Sequence, residues 1–573
     1  MKRTLFCLIL LTGLIGCSIK PTESEADAEE TTPVETEEGS GIASGVNVAD
    51  ADLPQRIRYS DDGHRLVTGA GTCDPYYDLA SIKRIDLTFS QSNWWSLLTA
   101  NYQSETEIPA IFSYDGLALP ANVGVRFKGF TSYTQNKTEK KSFNISLDYE
   151  DEQQDLNGFQ NLNLNCAFGD NAFMREVVYE NINQHYIPAL ANNYVELYIN
   201  GEYWGVYVNS QQVDGDLVKE WFLSNDGTRW RAEPSSSTGQ GGFGTGKSGL
   251  NYLGTSESNY QPYYTLKKAH KDSPWGDLVA TCTALYNTSS SAYTEVAKVL
   301  DIDRTLWFLA CENLFDDEDG YIHKGGTDYY LYWEVETGRM VPLEYDGNST
   351  LQSNYTSWSP FYNATNGNFP LLSKLLAVPS FRQRYLAHYR TILAERFNPT
   401  FMNTLIDQTA ARIDRYIAAD PKKIVTYAGY TSALSSLKAI VKNRYASVMA
   451  NSEVNVSGPV IENTKWTAGG VAWAAPTSAQ AVTVTAEVSG GGGAVYLYGC
   501  TGVVGNFSTI RMVDDGAHGD GSAGDGVFGA QIPAQNSGTR VRFYIEAVAS
   551  DSAATRAYDP AGAEHDVYVY SVQ

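Results

Sequence analysis

The sequence predicts an α+β domain followed by an all-β sandwich. Between about residues 83 and 450, strand-like and helix-like hydrophobic patterns follow one another without a repeating βαβ unit, which favours α+β over α/β. After Ser452 the helical patterns stop, and short strands alternate with Gly- and Asp-rich turns, as expected for a sandwich. The length of 573 residues independently predicts two or three domains, because single cores rarely grow that large.

The N-terminus has the pattern of a bacterial lipoprotein signal peptide. Residues 1–3 are basic, residues 5–15 are apolar, and the sequence Leu-Ile-Gly-Cys ends the stretch at Cys17. This stretch is too short to span a bilayer stably, whereas acyl chains on Cys17 would anchor the protein. An ordinary signal peptide with an incidental cysteine is the alternative. We expect residues 1–17 to be the signal peptide and Cys17 to be lipidated. The mature protein would then lie outside the cytoplasm, at the outer membrane or cell surface, and would touch the membrane only through its lipid.

Residues 18–52 are predicted to be an acidic, flexible tether. They contain ten Asp and Glu against one Lys and lack apolar periodicity, so they repel one another and bury too little surface to fold. The whole chain has a net charge of −24 and no visible basic patch, which argues against a nucleic-acid partner. We place the first folded domain at residues 53–455 and the second at 456–573. The five cysteines beyond residue 17 show no zinc-type spacing, and the sequence leaves their pairing open, as it does the oligomeric state.

Each element of the first domain is predicted from its hydrophobic period. Alternating apolar residues indicate strands, and apolar residues three and four apart indicate helices. Two hairpins are predicted, one around Asn200-Gly201, a dipeptide typical of type I′ turns, and one around Thr337-Gly338. The predicted strands cover residues 85–89, 123–127, 142–147, 194–199, 203–208, 329–333 and 340–345, and the predicted helices lie near residues 94–98, 174–182, 306–314 and 381–392.

The second domain is predicted to be an immunoglobulin- or fibronectin-like sandwich, with strands at residues 481–488, 494–497, 508–512, 541–549 and 566–572. One Gly-rich loop holds four carboxylates: Asp514, Asp515, Asp520 and Asp525. Oxygen ligands of this kind suit Ca²⁺, but Asp and Gly also satisfy ordinary turn geometry, and both interpretations stay open. Four aromatic residues are expected in the core, with a carbohydrate-binding platform as the alternative. They are Trp473, Tyr496, Tyr498 and Tyr544.

Residues 241–248, Gly-Gly-Phe-Gly-Thr-Gly-Lys-Ser, match the phosphate-binding P-loop pattern. A P-loop lies between a buried strand and a helix N-terminus, so that backbone amides converge on phosphate. Here a Ser-rich segment precedes the match, and a Gly-containing loop follows it. We therefore interpret these residues as a flexible loop.

A second, dispersed set of residues has the chemistry that phosphoryl transfer requires: cations for phosphate oxygens, carboxylates for Mg²⁺ and a carboxylate near the attacking hydroxyl. The basic members lie on or beside two adjacent predicted strands: Arg126, Lys128, Lys140 and Lys141. The acidic members follow a predicted helix or flank the second hairpin: Asp316, Asp317, Asp319, Asp328 and Asp346. Because the arms of that hairpin are nearly equal, Asp328 and Asp346 should meet at its open end. Taken alone, the pattern fits solvated loop carboxylates better, since Asp is common in loops.

Eight sequence blocks, in order, resemble the CotH (spore coat protein H) kinase family. They are residues 123–129 (VGVRFKG), 140–143 (KKSF), 162–165 (LNLN), 173–176 (FMRE), 194–207 (YVELYINGEYWGVY), 319–321 (DGY), 328–332 (DYYLY) and 343–346 (LEYD). Each block is short, but their common order across residues 83–450 is specific. The resemblance implies an atypical protein-kinase-like domain with two lobes, which binds ATP and Mg²⁺ (or Mn²⁺) and phosphorylates an extracytoplasmic protein.

The resemblance also implies roles for the basic residues and their partner. Lys141 would contact the phosphates of ATP, with Arg126 or Lys128 nearby. Either Glu176 or Glu180 would pair with the lysine, and the sequence leaves the choice open.

The remaining implied roles concern the cleft and the metal. Residues 208–213, including Gln212, would line the adenine cleft, Asp319 would orient the substrate hydroxyl, and Asp328 and Asp346 would hold the metal. Two positions depart from many family members, which carry Asn in place of Asp328 and Pro-Trp-Asp in place of residues 344–346. A catalytically inactive scaffold, acting as a surface adhesion or a matrix- or carbohydrate-binding lipoprotein, is the alternative function.

Overall fold

A computed structural model describes residues 41–69, 75–232, 247–324 and 328–573. The predicted signal peptide with Cys17, the fifth cysteine Cys73, and residues 241–246 of the P-loop-like segment lie outside the described residues. Among the residues described, no helix is both long and apolar enough to cross a membrane. The four cysteines that the structure describes are buried free thiols: Cys166, Cys282, Cys311 and Cys500.

Eight strands of the first domain form a sheet that closes on itself. They follow two short strands, β1 (Ile57–Tyr59) and β2 (Arg65–Thr68). The eight are β3 (Lys83–Thr88), β4 (Ile108–Tyr114), β5 (Leu117–Ala118), β6 (Val123–Lys128), β7 (Ser142–Ser146), β8 (Asn161–Asn165), β9 (Asn192–Ile199) and β10 (Glu202–Ser210). Their order is β3-β9-β10-β8-β7-β6-β4-β5, and β3 also pairs with β4, which closes the ring. Helices α1 (Trp94–Asn101) and α2 (Thr131–Thr134) accompany this sheet.

The two faces of the closed sheet differ in polarity. Successive side chains of a strand point to opposite faces, so Val125 and Phe127 of β6 enter a fully apolar interior. The alternate residues point outward and are polar. The strand register aligns Arg126 of β6 with Asn144 of β7, and Asn144 with Asn163 of β8. This polar outer face forms one wall of the candidate site described below.

The middle of the chain is mainly helical and contains a second, four-stranded sheet. The helices are α3 (Arg175–Asn183), α4 (Gly215–Trp221), α5 (Trp275–Asn287), α6 (Ile302–Leu314), α7 (Pro370–Leu375), α8 (Pro379–Glu395), α9 (Pro399–Ala419) and α10 (Tyr427–Met449). The strands are β11 (Arg229–Ala232), β12 (Tyr264–Lys268), β13 (Tyr329–Glu334) and β14 (Arg339–Glu344), in the order β12-β11-β13-β14. Strands β9 and β10 pair across Asn200-Gly201, and β13 and β14 pair across Gly338. Both predicted hairpins are therefore confirmed.

The C-terminal region is all-β, as predicted. Its strands are β15 (Val460–Ala468), β16 (Val471–Ala472), β17 (Val482–Ser489), β18 (Ala494–Thr501), β19 (Ser508–Met512), β20 (Val527–Ile532), β21 (Arg540–Val548), β22 (Arg556–Asp559) and β23 (Asp566–Ser571). One sheet has the order β16-β15-β17-β20, and the other has the order β1-β2-β23-β21-β18-β19, with β22 beside β21. Apolar residues from both sheets share one core, which is the packing of a sandwich.

The first two strands of the chain belong to this C-terminal sandwich. Strand β2 pairs with β23, Val46 N donates to Val504 O at 2.7 Å, and Asp50 forms an ion pair with Arg540. The structure thus places residues 41–52, predicted as tether, and residues 57–68, predicted as the start of the first domain, against the sandwich. The partners of β1 and β2 lie mostly at the other end of the chain, so no local pattern shows where these two strands pack.

The sandwich is held against the helical region by a buried charged network. Arg384 of α8 bonds to Asp303 of α6 at 2.7 Å and to Glu564 of the sandwich at 3.1 Å. The backbone N–H of Glu564 donates to Asp303 at 2.9 Å, and Trp307 of α6 donates to the carbonyl of Ala563 at 3.3 Å. The described residues of the two regions therefore pack as neighbours through specific polar contacts.

Candidate active site

Lys128 lies at the end of β6, on the polar outer face of the closed sheet. Its Nζ donates to Asn165 Oδ1 at 3.2 Å, and Asn165 Nδ2 donates to Glu176 Oε1 at 2.7 Å. Glu176 stands in the first turn of α3 and is buried. Burial lowers the pKa of Lys128, and the nearby carboxylates of Asp346 and Glu176 oppose that effect. The side chains of Lys128, Asn165 and Glu176 thus link the closed sheet to α3.

Asp319 lies in the loop that follows α6. Its Oδ2 accepts a hydrogen bond from Ser349 Oγ at 2.8 Å, and its Oδ1 forms an ion pair with Lys324. Asp319 raises the pKa of both Asp328 and Asp346, so the three carboxyl groups lie close enough to sense one another. The side chain is 27 % exposed and can therefore be reached by a substrate.

Asp328 and Asp346 flank the open end of the β13–β14 hairpin. Strand register pairs Tyr329 with Glu344, which places Asp328 one residue and Asp346 two residues beyond the last pair, at the ends of neighbouring strands. Burial and the charge of Asp346 raise the pKa of Asp328 to about 7, against the lowering effect of Arg231, whose Nη2 lies 3.7 Å from its Oδ1. Burial also raises the pKa of Asp346. Two carboxylates this close repel each other when both are charged, and a bound cation would relieve the repulsion.

The backbone around these aspartates is held in an uncommon conformation. Asp316, Asp328 and Asp346 have φ angles of 45°, 55° and 68°, in the left-handed region that non-glycine residues seldom adopt. Such conformations cost on the order of 1 kcal/mol or more and persist only where the surroundings fix them. The φ angles of Asp328 and Asp346 therefore indicate that the surrounding structure fixes where these two carboxylates lie.

A second group of carboxylates lies deeper in the same region. One oxygen from each of Glu312, Asp317 and Glu344 falls within 4.8 Å of the others, and all three residues are buried. Burial raises the pKa of Glu344 to about 8. Glu312 accepts hydrogen bonds from the backbone N–H groups of residues 321 and 322 at 2.9 and 2.8 Å. A Cβ at Gly320 would lie 2.6 Å from Asp317 Oδ2, so Glu312 and Asp317 together shape the loop that carries Asp319.

The structure does not bring Lys141 to this site. Its Nζ donates to the carbonyl of Tyr133 at 3.0 Å and to that of Asn136, in the turn that precedes β7. The neighbouring Lys140 forms a buried ion pair with Asp420. Strand β7 begins at Ser142, so both lysines precede it, and carbonyls of that turn take up the amine of Lys141. Lys128, rather than Lys141, is the lysine that has Glu176 and Asp346 as neighbours.

The two candidate partners of the lysine, Glu176 and Glu180, have different surroundings. Glu176 reaches Lys128 through Asn165, as described above. Glu180 Oε2 accepts a hydrogen bond from Leu190 N at 3.1 Å, and its pKa is raised by burial and by Glu344. The geometry therefore favours Glu176 as the partner.

Two further predicted cofactor-binding residues lie on the polar wall itself. Arg126 is partly exposed, and its Nη1 lies 3.5 Å from Glu105 Oε2. Gln212 Oε1 accepts a hydrogen bond from Asn163 Nδ2 at 2.8 Å. Sequence reasoning missed Asn165, Arg231 and Glu312. Asn165 ends the block 162–165 but was given no role, Arg231 comes from a strand without a motif, and the only signal for Glu312 was a charge inside the mainly apolar segment 306–314.

The predicted calcium-binding loop uses its carboxylates on its own backbone. Asp520 accepts bonds from the N–H groups of residues 515, 516 and 518 at 2.7–3.0 Å, and Asp514 from those of residues 524 and 526 at 2.6 and 2.9 Å. Asp525 accepts from residues 522 and 527, and Asp515 from residue 517. Within the described ranges, three ligand-type side chains converge within 4.8 Å at Glu312, Asp317 and Glu344 and not in this loop. The geometry thus favours the turn interpretation.

Comparisons with known proteins bear on these features. The fold and site define an α+β protein in which a group of carboxylates surrounds Lys128, followed by an immunoglobulin-like domain. The CotH kinase protein family model matches residues 125–448, more than half of the chain, and the chain belongs to that family. A model of the second immunoglobulin-like domain of conditioned medium factor matches residues 500–555. No match was found among the curated proteins.

Proposed function

We propose that the protein is an extracytoplasmic kinase that transfers phosphate from ATP to a hydroxyl group of a protein. The observation that carries this proposal is the mutual proximity of Lys128, Glu176 and Asp346, within the region matched by the CotH kinase family. A cation for phosphate oxygens, a residue that positions it and a metal-binding carboxylate are the parts that phosphoryl transfer needs. The closed sheet and the β13–β14 hairpin would then act as the two sides of a nucleotide cleft.

Lys128 would contact the phosphates, and its neighbours hold it in place for that role. Asn165 Oδ1 accepts a hydrogen bond from Lys128 Nζ, and Asn165 Nδ2 donates in turn to Glu176. Because Lys128 is partly buried, its charge acts in a medium of low dielectric constant, where it interacts more strongly with phosphate than it would in water. Gln212 and Asn163 extend the polar wall beyond this lysine and would face the remainder of the nucleotide.

Asp328 and Asp346 fit a divalent cation. Carboxylate oxygens are the ligands that Mg²⁺ and Mn²⁺ prefer. Burial raises the pKa of both groups, and a bound cation would favour their charged forms. Bound there, the ion would neutralise charge on the transferred phosphate. The protein itself would keep the carboxylates of Asp328 and Asp346 at the same end of the hairpin.

Asp319 would receive the substrate hydroxyl. Ser349 and Lys324 fix its carboxylate, and Glu312 fixes the backbone of the loop around it. A carboxylate placed this way can accept a hydrogen bond from the attacking hydroxyl and later its proton. Anchoring by a lipid at Cys17 would bring the site to acceptor proteins outside the cytoplasm.

The decisive experiment compares two lysines of the same region. The full-length protein is incubated with labelled ATP, Mg²⁺ or Mn²⁺ and an acceptor protein, and incorporated phosphate is counted. We expect Lys128→Met to lower incorporation at least 100-fold. Lys141→Met, which alters the same residue type beside the next strand, should leave it within about threefold. Equal labelling of the wild type and Lys128→Met would argue for an inactive, scaffold-like protein instead.

A further inference from the structure

An aromatic side chain of the sandwich lies exposed at the edge of an open groove. Trp473 follows the short strand β16 and is 37 % exposed, although the sequence favoured a core position for it. Its ring stacks on His64 with centroids 4.2 Å apart and planes 7° from parallel. Trp466 packs edge-on against it at 4.5 Å. His64 thus covers one face of the indole and Trp466 packs against it at a steep angle, while more than a third of the residue stays exposed.

The backbone at Trp473 is strained in a way that fixes this position. Its φ angle is 61°, which bulky residues rarely adopt, and its N–H donates to the carbonyl of Trp466 at 2.9 Å. Trp466 is itself held by a bond from its Nε1 to Ala474 O at 3.1 Å. Strained residues tend to occur at ligand sites, where their geometry has a use. A tryptophan that served only the core would gain nothing from this conformation.

The groove beside the indole has a volume of about 310 Å³, which is at the lower end of the range for small-ligand sites. Three regions of the chain form it: the β1–β2 turn, strand β15 and the ends of β22 and β23. Its polar lining includes Asp62, Glu462, Asn463 and Asp559. Among the described lining residues, Arg65 is engaged by Asp566 at 2.7 Å, while Asp62, Glu462 and Asp559 each add a carboxylate, so the groove carries a net negative charge.

We infer that this groove binds a neutral sugar ring of an oligosaccharide or polysaccharide. A pyranose presents C–H groups on its flat face, which pack on an aromatic ring, while its hydroxyls point outward to hydrogen-bonding groups. The exposed indole of Trp473 supplies the aromatic contact, and the carboxylate and amide side chains around it supply the hydrogen-bonding groups. The negative charge disfavours acidic sugars by like-charge repulsion. The site lies on the sandwich and does not depend on the phosphotransfer proposed for the other domain.

The test uses the full-length protein and hexasaccharides of defined chemistry. Cellohexaose, mannohexaose and chitohexaose are the neutral probes, and hexagalacturonic acid is the acidic one. We expect calorimetry or tryptophan fluorescence to detect binding of at least one neutral probe, and binding of the acidic probe to be at least tenfold weaker. The neutral hexasaccharide that binds identifies the sugar class.

Variants decide whether this groove is the site. Trp473→Ala should weaken binding at least tenfold, and Trp473→Phe should retain most of it, because a ring remains. Val471→Ala is the matched control, since Val471 lies on the same edge and is 60 % exposed, and it should bind as wild type does. Near-ultraviolet circular dichroism checks that each variant is folded. The inference is overturned if no neutral hexasaccharide binds, or if Trp473→Ala binds as tightly as wild type.

Discussion

Lys140 and Asp420 form an ion pair that is buried on both sides and joins the segment leading into β7 to the end of α9. The same carboxylate accepts hydrogen bonds from Val206 N at 3.1 Å and Lys422 N at 2.8 Å. Gly205 makes room for it, because a Cβ at that position would lie 2.4 Å from the carboxylate oxygens. One aspartate at the end of α9 thus contacts both β10 and the segment that leads into β7.

Asp420→Ala should destabilise the protein by about 3–5 kcal/mol, because it leaves the Lys140 charge buried without a partner. Urea denaturation followed by circular dichroism measures the change. Glu139→Gln provides the control, since the pair between Glu139 and Lys422 is exposed, at 61 % and 27 %, and should contribute less than about 1 kcal/mol. Similar effects of the two substitutions would contradict the role given to the buried pair.

Metal–nucleotide binding should depend unequally on the two hairpin aspartates. Asp346 neighbours Lys128 and Glu176, whereas the carboxylate of Asp328 lies 3.7 Å from Arg231. Asp328→Asn keeps an oxygen ligand and should still bind Mg-ATP, while Asp346→Asn should bind it at least tenfold more weakly. Thermal shift is a suitable readout, because a ligand at 100 times its dissociation constant stabilises by about 2.7 kcal/mol. If Asp346→Asn shifts as much as wild type, the metal site has been placed wrongly.

The stability of the metal-free protein should fall as pH rises from about 4 to about 7, in part because of Asp328. Its carboxyl has a pKa near 3.8 when unfolded and about 7 when folded, so in this window the folded state binds more protons than the unfolded state. Asp328→Asn has no carboxyl group at this position and therefore lacks this pH-dependent contribution to stability. At pH 8 the variant should be more stable than wild type by on the order of 1–3 kcal/mol, given about 1.4 kcal/mol per pKa unit and partial solvent screening.

Urea denaturation in EDTA at pH 4, 6 and 8 tests this pH dependence. The difference between Asp328→Asn and wild type should be small at pH 4 and grow towards pH 8. A difference that stays constant across the three pH values would show that the substitution acts through packing rather than through the charge. Added Mg-ATP should reduce the difference at pH 8.

Gly320→Ala should impair phosphotransfer strongly, although the substitution adds only one methyl group. The added Cβ would lie 2.6 Å from Asp317 Oδ2 and 2.9 Å from Glu312 Oε1, so the loop carrying Asp319 must shift. We expect activity to fall at least tenfold, and stability to fall by about 1–3 kcal/mol, as is usual for overpacking. Gly367→Ala is the control, because nothing lies within 4 Å of its added Cβ. Unchanged phosphotransfer by Gly320→Ala would mean that the loop tolerates displacement.

Local features of this protein were predictable from sequence, and long-range ones were not. The hairpins around Asn200-Gly201 and Thr337-Gly338 depend on turn chemistry and alternation within about twenty residues, and the second hairpin brings Asp328 and Asp346 to one end. The choice of Lys128 over Lys141 depends on how the chain enters β7. The sequence of neighbouring lysines does not show which amine donates its hydrogen bonds to backbone carbonyls, as that of Lys141 does.

The lipid anchor is tested by Cys17→Ser. The sequence places this cysteine at the end of the apolar stretch, where acyl chains on its thiol would supply the anchor. Two or more acyl chains hold a protein at a membrane stably, whereas one chain binds only marginally.

We expect Cys17→Ser to move the protein from the membrane fraction to the soluble fraction, while Cys7→Ser leaves it with the membranes. Ser18, rather than Asp, follows the cysteine, so in a cell with two membranes the wild type should separate with the outer one. Retention of Cys17→Ser in the membrane fraction after a salt wash would show that another segment provides the anchor.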